Sequence, residues 1–117
     1  MASLLVVGGG VLGTLHSYLA ISAGLQVTHL ERTMVPAAAS VRNFGLIWVS
    51  GRLAGKELDL AIRARQLWEQ VGKNASIGFR ANGSLTFAQN EGEWSVLQEA
   101  MAMEDASKRG FRLLTKP

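Results

Sequence analysis

The chain has 117 residues, 48% of them hydrophobic and 18% charged, which is the length of one ordinary domain with enough apolar residues for a core. It has no cysteine, which excludes a disulfide framework, a thiolate metal site and a cysteine nucleophile. The formal net charge of +3 is small and comes without a run of basic residues, so we expect no binding to nucleic acid.

The first thirty residues predict a strand, a helix and a second strand. The apolar run Ser3–Val7 stops at a glycine and is typical of a parallel strand buried on both faces. A helix is predicted over residues 10–23, with Gly24 as its C-terminal cap. Gln26–Leu30 alternates in polarity and predicts the second strand. This order is a βαβ unit, and it predicts an α/β fold.

The apolar N-terminal stretch is not typical of a signal peptide or a membrane span. No basic residue precedes it, and it contains four glycines and runs into His16. We therefore expect no membrane span and a cytoplasmic protein.

Residues 32–50 have no clear period, and irregular segments of this length often carry function. A helix is predicted over residues 55–71. Its inner stripe is expected to be Leu60, Ala64, Leu67, Trp68 and Val71.

The C-terminal third predicts a hairpin, a helix and a last strand. The hairpin strands are 77–80 and 84–88, joined through Asn82-Gly83. Asn90 and Glu93 predict a capping box for a helix that residues 108–110 stop. Residues 111–114 predict a strand, and residues 115–117 are typical of the entry to a further helix.

The stretch from Gly8 to Gly13 satisfies G-x-G-x-x-G directly after a buried strand and at the start of a helix, the context in which this motif predicts dinucleotide binding. Gly8 permits the tight turn, Gly10 lets a pyrophosphate approach the backbone, and Gly13 lets the helix pack closely on the sheet. Glu31 ends the second strand, where an acid binds ribose hydroxyls and disfavours the 2′-phosphate of NADP.

A NAD domain usually continues with further parallel strands and helices, whereas here an irregular segment, a helix and a hairpin follow. This organisation favours FAD. A NAD-dependent dehydrogenase and a non-catalytic truncated remnant are the alternatives.

Residues 4–32, LLVVGGGVLGTLHSYLAISAGLQVTHLER, resemble the N-terminus of the FAD-dependent D-amino-acid oxidase/glycine oxidase superfamily. The runs ASVRNFGLIWVSGR and FRANGSLTFA resemble its bacterial branch associated with phosphonate catabolism. Members of the superfamily are longer and have a second domain with a large antiparallel sheet. The resemblance implies that residues 1–72 are a Rossmann-like FAD-binding segment, that residues 73–117 begin an incomplete substrate-binding domain, and that the chain is an N-terminal fragment.

The resemblance also implies roles for individual residues. Gly8, Gly10 and Gly13 match the pyrophosphate turn, and Val11 and Leu12 match the helix start. Glu31 matches the ribose acid, and Arg32 matches its neighbour on the adenine side. The positions matching the loop that passes the ribityl chain are Ala39, Ser40, Asn43, Gly45 and Leu46. No catalytic residue is assigned within the chain.

The implied reaction takes a hydride from the carbon next to a substrate nitrogen, giving an imine and reduced flavin. The substrate is then a small amine or amino acid, with an aminophosphonate as one candidate class. No metal is expected, because no cluster of histidines and carboxylates has ligand spacing.

Several other side chains could have a functional role, but a structural role has to be weighed against it for each. We expect His16 and His29 to be structural, and Arg42 to bind either an anion or a neighbouring carboxylate. The three tryptophans, Trp48, Trp68 and Trp94, are expected to be core anchors.

Overall fold

The computed structural model describes residues 2–35 and 37–114. The regular elements within those ranges are β1 (Ser3–Val7), α1 (Val11–Ser22), β2 (Gln26–Leu30), a 3₁₀ turn (Ala39–Val41), α2 (Lys56–Asn74), α3 (Glu91–Ala102) and α4 (Ala106–Arg109). The chain divides into two compact units, Met1–Leu46 and Ile47–Pro117. Across the described residues, no helix has the length and apolarity needed to cross a membrane.

The first unit is a βαβ unit. Strands β1 and β2 pair in parallel, with Val6 opposite His29 and Val7 opposite Leu30. Helix α1 connects the strands and lies against both. It ends in a Schellman motif, in which the N–H of Leu25 donates to the carbonyl of Ala20. The predicted α/β class and the order strand, helix, strand are confirmed.

The two-stranded sheet is covered on one face only. Val6 is buried, whereas its neighbours Leu5 and Val7 are 60% and 78% exposed. Successive strand residues point to opposite faces, so the second face of the sheet is open in the described part of the chain. The prediction that β1 is buried on both faces is therefore wrong here, because α1 can cover only one of the two faces.

The core of the second unit lies at the N-terminal end of α2. Leu58 is 1% exposed, and Val49 and Ala106 are also buried. The predicted inner stripe is wrong at Leu60, which is 68% exposed, and at Ala64 and Leu67, which are also exposed. After Leu58, the partly buried positions of α2 include Ala61, Ile62, Arg65 and Trp68, so the face that packs is displaced around the helix from the predicted stripe.

The third predicted helix is divided into two. Its start is confirmed, since the Asn90 side chain accepts from the Glu93 N–H at 2.9 Å, and the Glu93 carboxylate accepts from the Gln89 N–H at 2.7 Å. The helix ends at Ala102 instead of running on to residue 108, because Met103 adopts an extended backbone. Gly110, in the left-handed region, ends the short α4.

The predicted hairpin and last strand are wrong within the described residues. No strand forms between residues 75 and 89 or over 111–114. An isolated two-stranded hairpin is marginally stable in water and needs further strands or a helix to cover one face. That cover is missing here, since Phe87 is 76% exposed. The prediction for residues 115–117 falls outside the described residues.

A buried arginine holds the second unit together. The Arg109 guanidinium donates to both carboxylate oxygens of Asp105 at 2.8 and 2.6 Å. Its remaining nitrogen donates to the carbonyl oxygens of Ser50 and Arg52 at 2.8 and 2.6 Å. These bonds lower the pKa of Asp105 and raise that of Arg109. The sequence pattern indicates only a helix stop at this arginine.

The tryptophans depart from the prediction of core anchors. Trp48 is more than half exposed, and its indole N–H donates to Ser50 Oγ at 2.6 Å. Its ring lies over Gly51, where a Cβ would collide with it. Trp68 is half-buried and Trp94 partly exposed.

Candidate cofactor-binding site

The glycine turn between β1 and α1 is the centre of the site. The Gly8 N–H donates to the carbonyl of Leu30 at 2.7 Å and so continues the sheet by one residue. Gly8 has a φ of 109°, a conformation that favours glycine, and the chain leaves the strand there. A Cβ on Gly13 would collide with the Gly8 carbonyl, so only glycine allows α1 to start this close to the strand. The turn therefore has the geometry that the motif predicts.

Free N–H donors collect at the start of α1. Among the described residues, no acceptor is found for the N–H groups of Gly10, Leu12 and Gly13, while Val11 donates to Ser40 Oγ at 2.9 Å. Unpaired N–H groups and the positive end of the helix dipole favour an anion. The helix start thus offers donors to a diphosphate.

Glu31 lies beside the same turn. Its Oε2 accepts from the Gly9 N–H at 2.5 Å, and its Oε1 accepts from the N–H and the hydroxyl of Thr33, each at 2.9 Å. These bonds, that from Gly9 most strongly, lower the pKa of Glu31 from its ordinary value of 4.5 to about 2. The carboxylate is therefore ionised at neutral pH and can accept hydrogen bonds from sugar hydroxyls.

A cavity of about 300 Å³ opens beside this carboxylate. The residues that line it are Val7, Gly8, Leu30, Glu31 and Arg32. The structure thus brings the predicted ribose acid and its neighbour Arg32 to the same crevice as the first glycine of the turn.

The loop after β2 reaches the helix start through Ser40. The Asn43 side-chain amide donates to the carbonyls of Ala39 and Ser40 at 3.1 and 2.9 Å, and its oxygen accepts from the Gly45 N–H at 2.7 Å. Asn43 therefore shapes the loop that presents Ser40. Leu46 is exposed, and within the described residues it forms no hydrogen bond to the turn.

His29 is the residue at the site whose contacts sequence reasoning missed. Its Nε2 lies 2.8 Å from the Gly8 carbonyl oxygen, and its Nδ1 lies 3.1 Å from Ser17 Oγ. A histidine two positions after the half-buried Val27 shares its face of β2, which is the signal that could have indicated this contact.

Two other predicted candidates lie apart from this arrangement. His16 Nδ1 is 2.7 Å from the carbonyl oxygen of Leu12, one turn earlier in α1, which agrees with a structural role. Arg42 forms no ion pair within the part of the chain that the structure describes. Over the same residues, no group of three or more His, Cys, Asp or Glu side chains could hold a metal ion.

The fold and the site are consistent with a dinucleotide-binding βαβ unit: the free N–H groups suit a diphosphate, and the ionised Glu31 suits a ribose. A family model described as FAD dependent oxidoreductase matches residues 3–117. The chain therefore belongs to the FAD dependent oxidoreductase family, and its cofactor is FAD, as the sequence predicted.

Comparison with curated proteins gives a relative of the chain. A protein of Rhizobium meliloti that is named as a subunit of opine oxidase is 30% identical over 104 residues, which cover 82% of this chain and 28% of that protein. The chain thus spans about a quarter of the length of this relative. No solved structure matches the chain significantly.

Proposed function

We propose that the chain is the FAD-binding N-terminal portion of a flavin-dependent amine or amino-acid oxidoreductase. The observation that carries the proposal is the glycine turn, which has free N–H groups at the start of α1 and the ionised Glu31, from the end of β2, beside it. When bound, FAD supplies two-electron oxidation of a carbon next to a substrate nitrogen. The chain's own residues bind and orient the cofactor.

The helix start and Ser40 hold the diphosphate. The Ser40 hydroxyl accepts from the Val11 N–H and keeps its own proton, which it can donate to a phosphate oxygen. The N–H groups of Gly10, Leu12 and Gly13 supply further donors. This arrangement binds the anion without a basic side chain.

Glu31 holds the ribose of the adenosine half. Thr33 donates twice to Oε1, which keeps the carboxylate oriented while Oε2 faces the turn. Arg32 lines the same cavity, which supports the proposal that it lies near the adenine side. Ala39, Asn43, Gly45 and Leu46 belong to the loop that continues from Ser40 along the ribityl chain.

The substrate class is a small amine or amino acid. The relative named as part of an opine oxidase supports oxidation as the reaction. The resemblance of residues 39–52 and 79–88 to the branch associated with phosphonate catabolism supports an aminophosphonate. In this proposal residues 1–72 bind FAD and residues 73–117 begin the substrate-binding domain.

A binding titration tests the proposal. The 117-residue chain is titrated with FAD and, in parallel, with NADH, and the change in cofactor fluorescence is followed. We expect FAD to bind more tightly than NADH, and ADP to compete with FAD because the site holds the adenosine diphosphate half. A chain that takes up no FAD, or that prefers NADH, contradicts the proposal.

A further inference from the structure

The Gly8–Gly9 peptide group is held at both of its ends. The carbonyl oxygen of Gly8 lies 2.8 Å from His29 Nε2, and the N–H of Gly9 donates to Glu31 Oε2 at 2.5 Å. In a planar trans peptide the C=O and the N–H point in opposite directions. A side chain that holds the carbonyl therefore also sets the direction of the N–H.

This peptide group has little steric restraint of its own. It joins two glycines, so a rotation about the flanking bonds meets no Cβ of its own, and its steric restraint comes from Gly13, close to the Gly8 carbonyl, and from the Glu31 side chain, close to Gly9. Such a rotation would turn the Gly9 N–H away from Glu31, and the carboxylate would keep only its bonds from Thr33. The orientation of Glu31 thus depends on what holds the Gly8 carbonyl.

The chemistry of the bond assigns the proton on His29. A carbonyl oxygen can only accept, so Nε2 carries a hydrogen and donates to Gly8. In the neutral ring Nδ1 then accepts from the buried Ser17 hydroxyl, which sets the orientation of the ring.

We propose that His29 is a positioning residue for cofactor binding: by holding the Gly8–Gly9 peptide, it directs the Gly9 N–H to Glu31 and so orients the carboxylate that meets the ribose. The effect on the peptide stands independently of the proposed function. The effect on FAD affinity rests on that function.

Two conservative variants separate the bond to Gly8 from the bond to Ser17. In His29→Gln the side-chain amide nitrogen occupies the place of Nε2 and can donate to Gly8. In His29→Asn the amide reaches only the place of Nδ1, so it keeps a partner in Ser17 and loses Gly8. Both side chains are polar and smaller than imidazole, and a melting curve of each variant verifies that it is folded.

The first readout is the Gly9 amide in ¹⁵N-labelled chain at neutral pH. A proton bonded to a carboxylate resonates far downfield and exchanges slowly with solvent. We expect His29→Gln to retain both properties. We expect His29→Asn to lose the downfield shift and to exchange about tenfold faster, the size expected when one hydrogen bond is lost. If the Gly9 amide proton has the same chemical shift and exchange rate in His29→Asn as in the unaltered chain, the proposal is overturned.

The second readout is FAD affinity. We expect His29→Asn to weaken binding about five- to tenfold and His29→Gln to stay within about twofold of the unaltered chain. His16→Asn, which changes the other histidine, is the control and is expected to bind normally. Equal affinity of His29→Asn and the unaltered chain overturns the inference. If the unaltered chain takes no FAD, the proposed function fails, and the Gly9 amide still decides whether His29 holds the Gly8–Gly9 peptide.

Discussion

Glu31 shows how one side chain acquires its chemistry from backbone donors. Its carboxylate is exposed, yet three donors from Gly9 and Thr33 converge on it. Hydrogen bonds to the charged form lower a carboxyl pKa, here to about 2. The acid that the motif predicts at the strand end is therefore ionised and oriented before a ligand arrives.

Glu31→Gln is expected to weaken FAD binding at least about tenfold, because hydrogen bonds to a charged acceptor are stronger than those to a neutral amide. The measurement is a fluorescence titration at neutral pH. Glu104→Gln, which changes another exposed glutamate, serves as the control and should leave the affinity unchanged. Equal affinities of the two variants would remove Glu31 from the site.

The low pKa of Glu31 also predicts how stability depends on pH. The folded pKa of about 2 lies below the ordinary 4.5, so this group contributes its full stability above pH 4.5. That contribution is lost as the pH falls from 4.5 towards 2. Chemical unfolding at several pH values should show a steeper loss of unfolding free energy for the unaltered chain than for Glu31→Gln. Parallel curves would refute the depressed pKa.

At the scale of elements, Arg109 attaches helix α4 to the segment that precedes α2. One guanidinium binds Asp105 at the start of α4 and the carbonyls of Ser50 and Arg52 before α2. A four-residue helix has little stability of its own, so it is kept in place by these bonds, by the buried Ala106 and by the ion pair between Lys108 and Asp59 of α2.

Arg109→Met is expected to lower the melting temperature of the chain by about 5 °C or more, because it leaves Asp105 and two carbonyl oxygens without their partner. Arg63→Met, on the exposed surface of α2, is the matched control and should change the melting temperature little. Circular dichroism measures both. Similar melting temperatures would show that the bonds of Arg109 add nothing to stability.

At the scale of the whole molecule, the open apolar face of the sheet is the feature most expected to cause self-association. Leu5, Val7 and Leu30 are all more than half exposed on it. Apolar sheet faces and free strand edges favour association with further chains. The 117-residue chain is thus expected to self-associate in solution.

The double variant Leu5→Thr and Val7→Thr should raise the dissociation constant of this association about tenfold, because it removes apolar area while threonine, being β-branched, suits a strand. Leu60→Thr, at an equally exposed leucine of α2, is the control and should have a smaller effect. Sedimentation velocity over a range of concentrations measures all three chains. A sharp monomer boundary for the unaltered chain would contradict this prediction.

The sequence alone determined the features that depend on neighbours along the chain. Strand β1, helix α1 with its end at Gly24, strand β2 and the cap at Asn90 follow from periodicity and from side chains within a few residues. The glycine motif and Glu31 could be identified from the sequence for the same reason, because each glycine of the motif meets a conformational requirement of its local backbone.

Only the tertiary structure decided which distant groups meet. Ser40 reaches Val11, His29 reaches Gly8, and Arg109 reaches Ser50, across separations that no local pattern encodes. The predicted hairpin failed for the same physical reason: strands need partners to persist, and residues 77–80 and 84–88 have no strand partner in the described part of the chain. Local conformational preferences set the elements, whereas burial and hydrogen-bond partners supplied from elsewhere in the chain set the site.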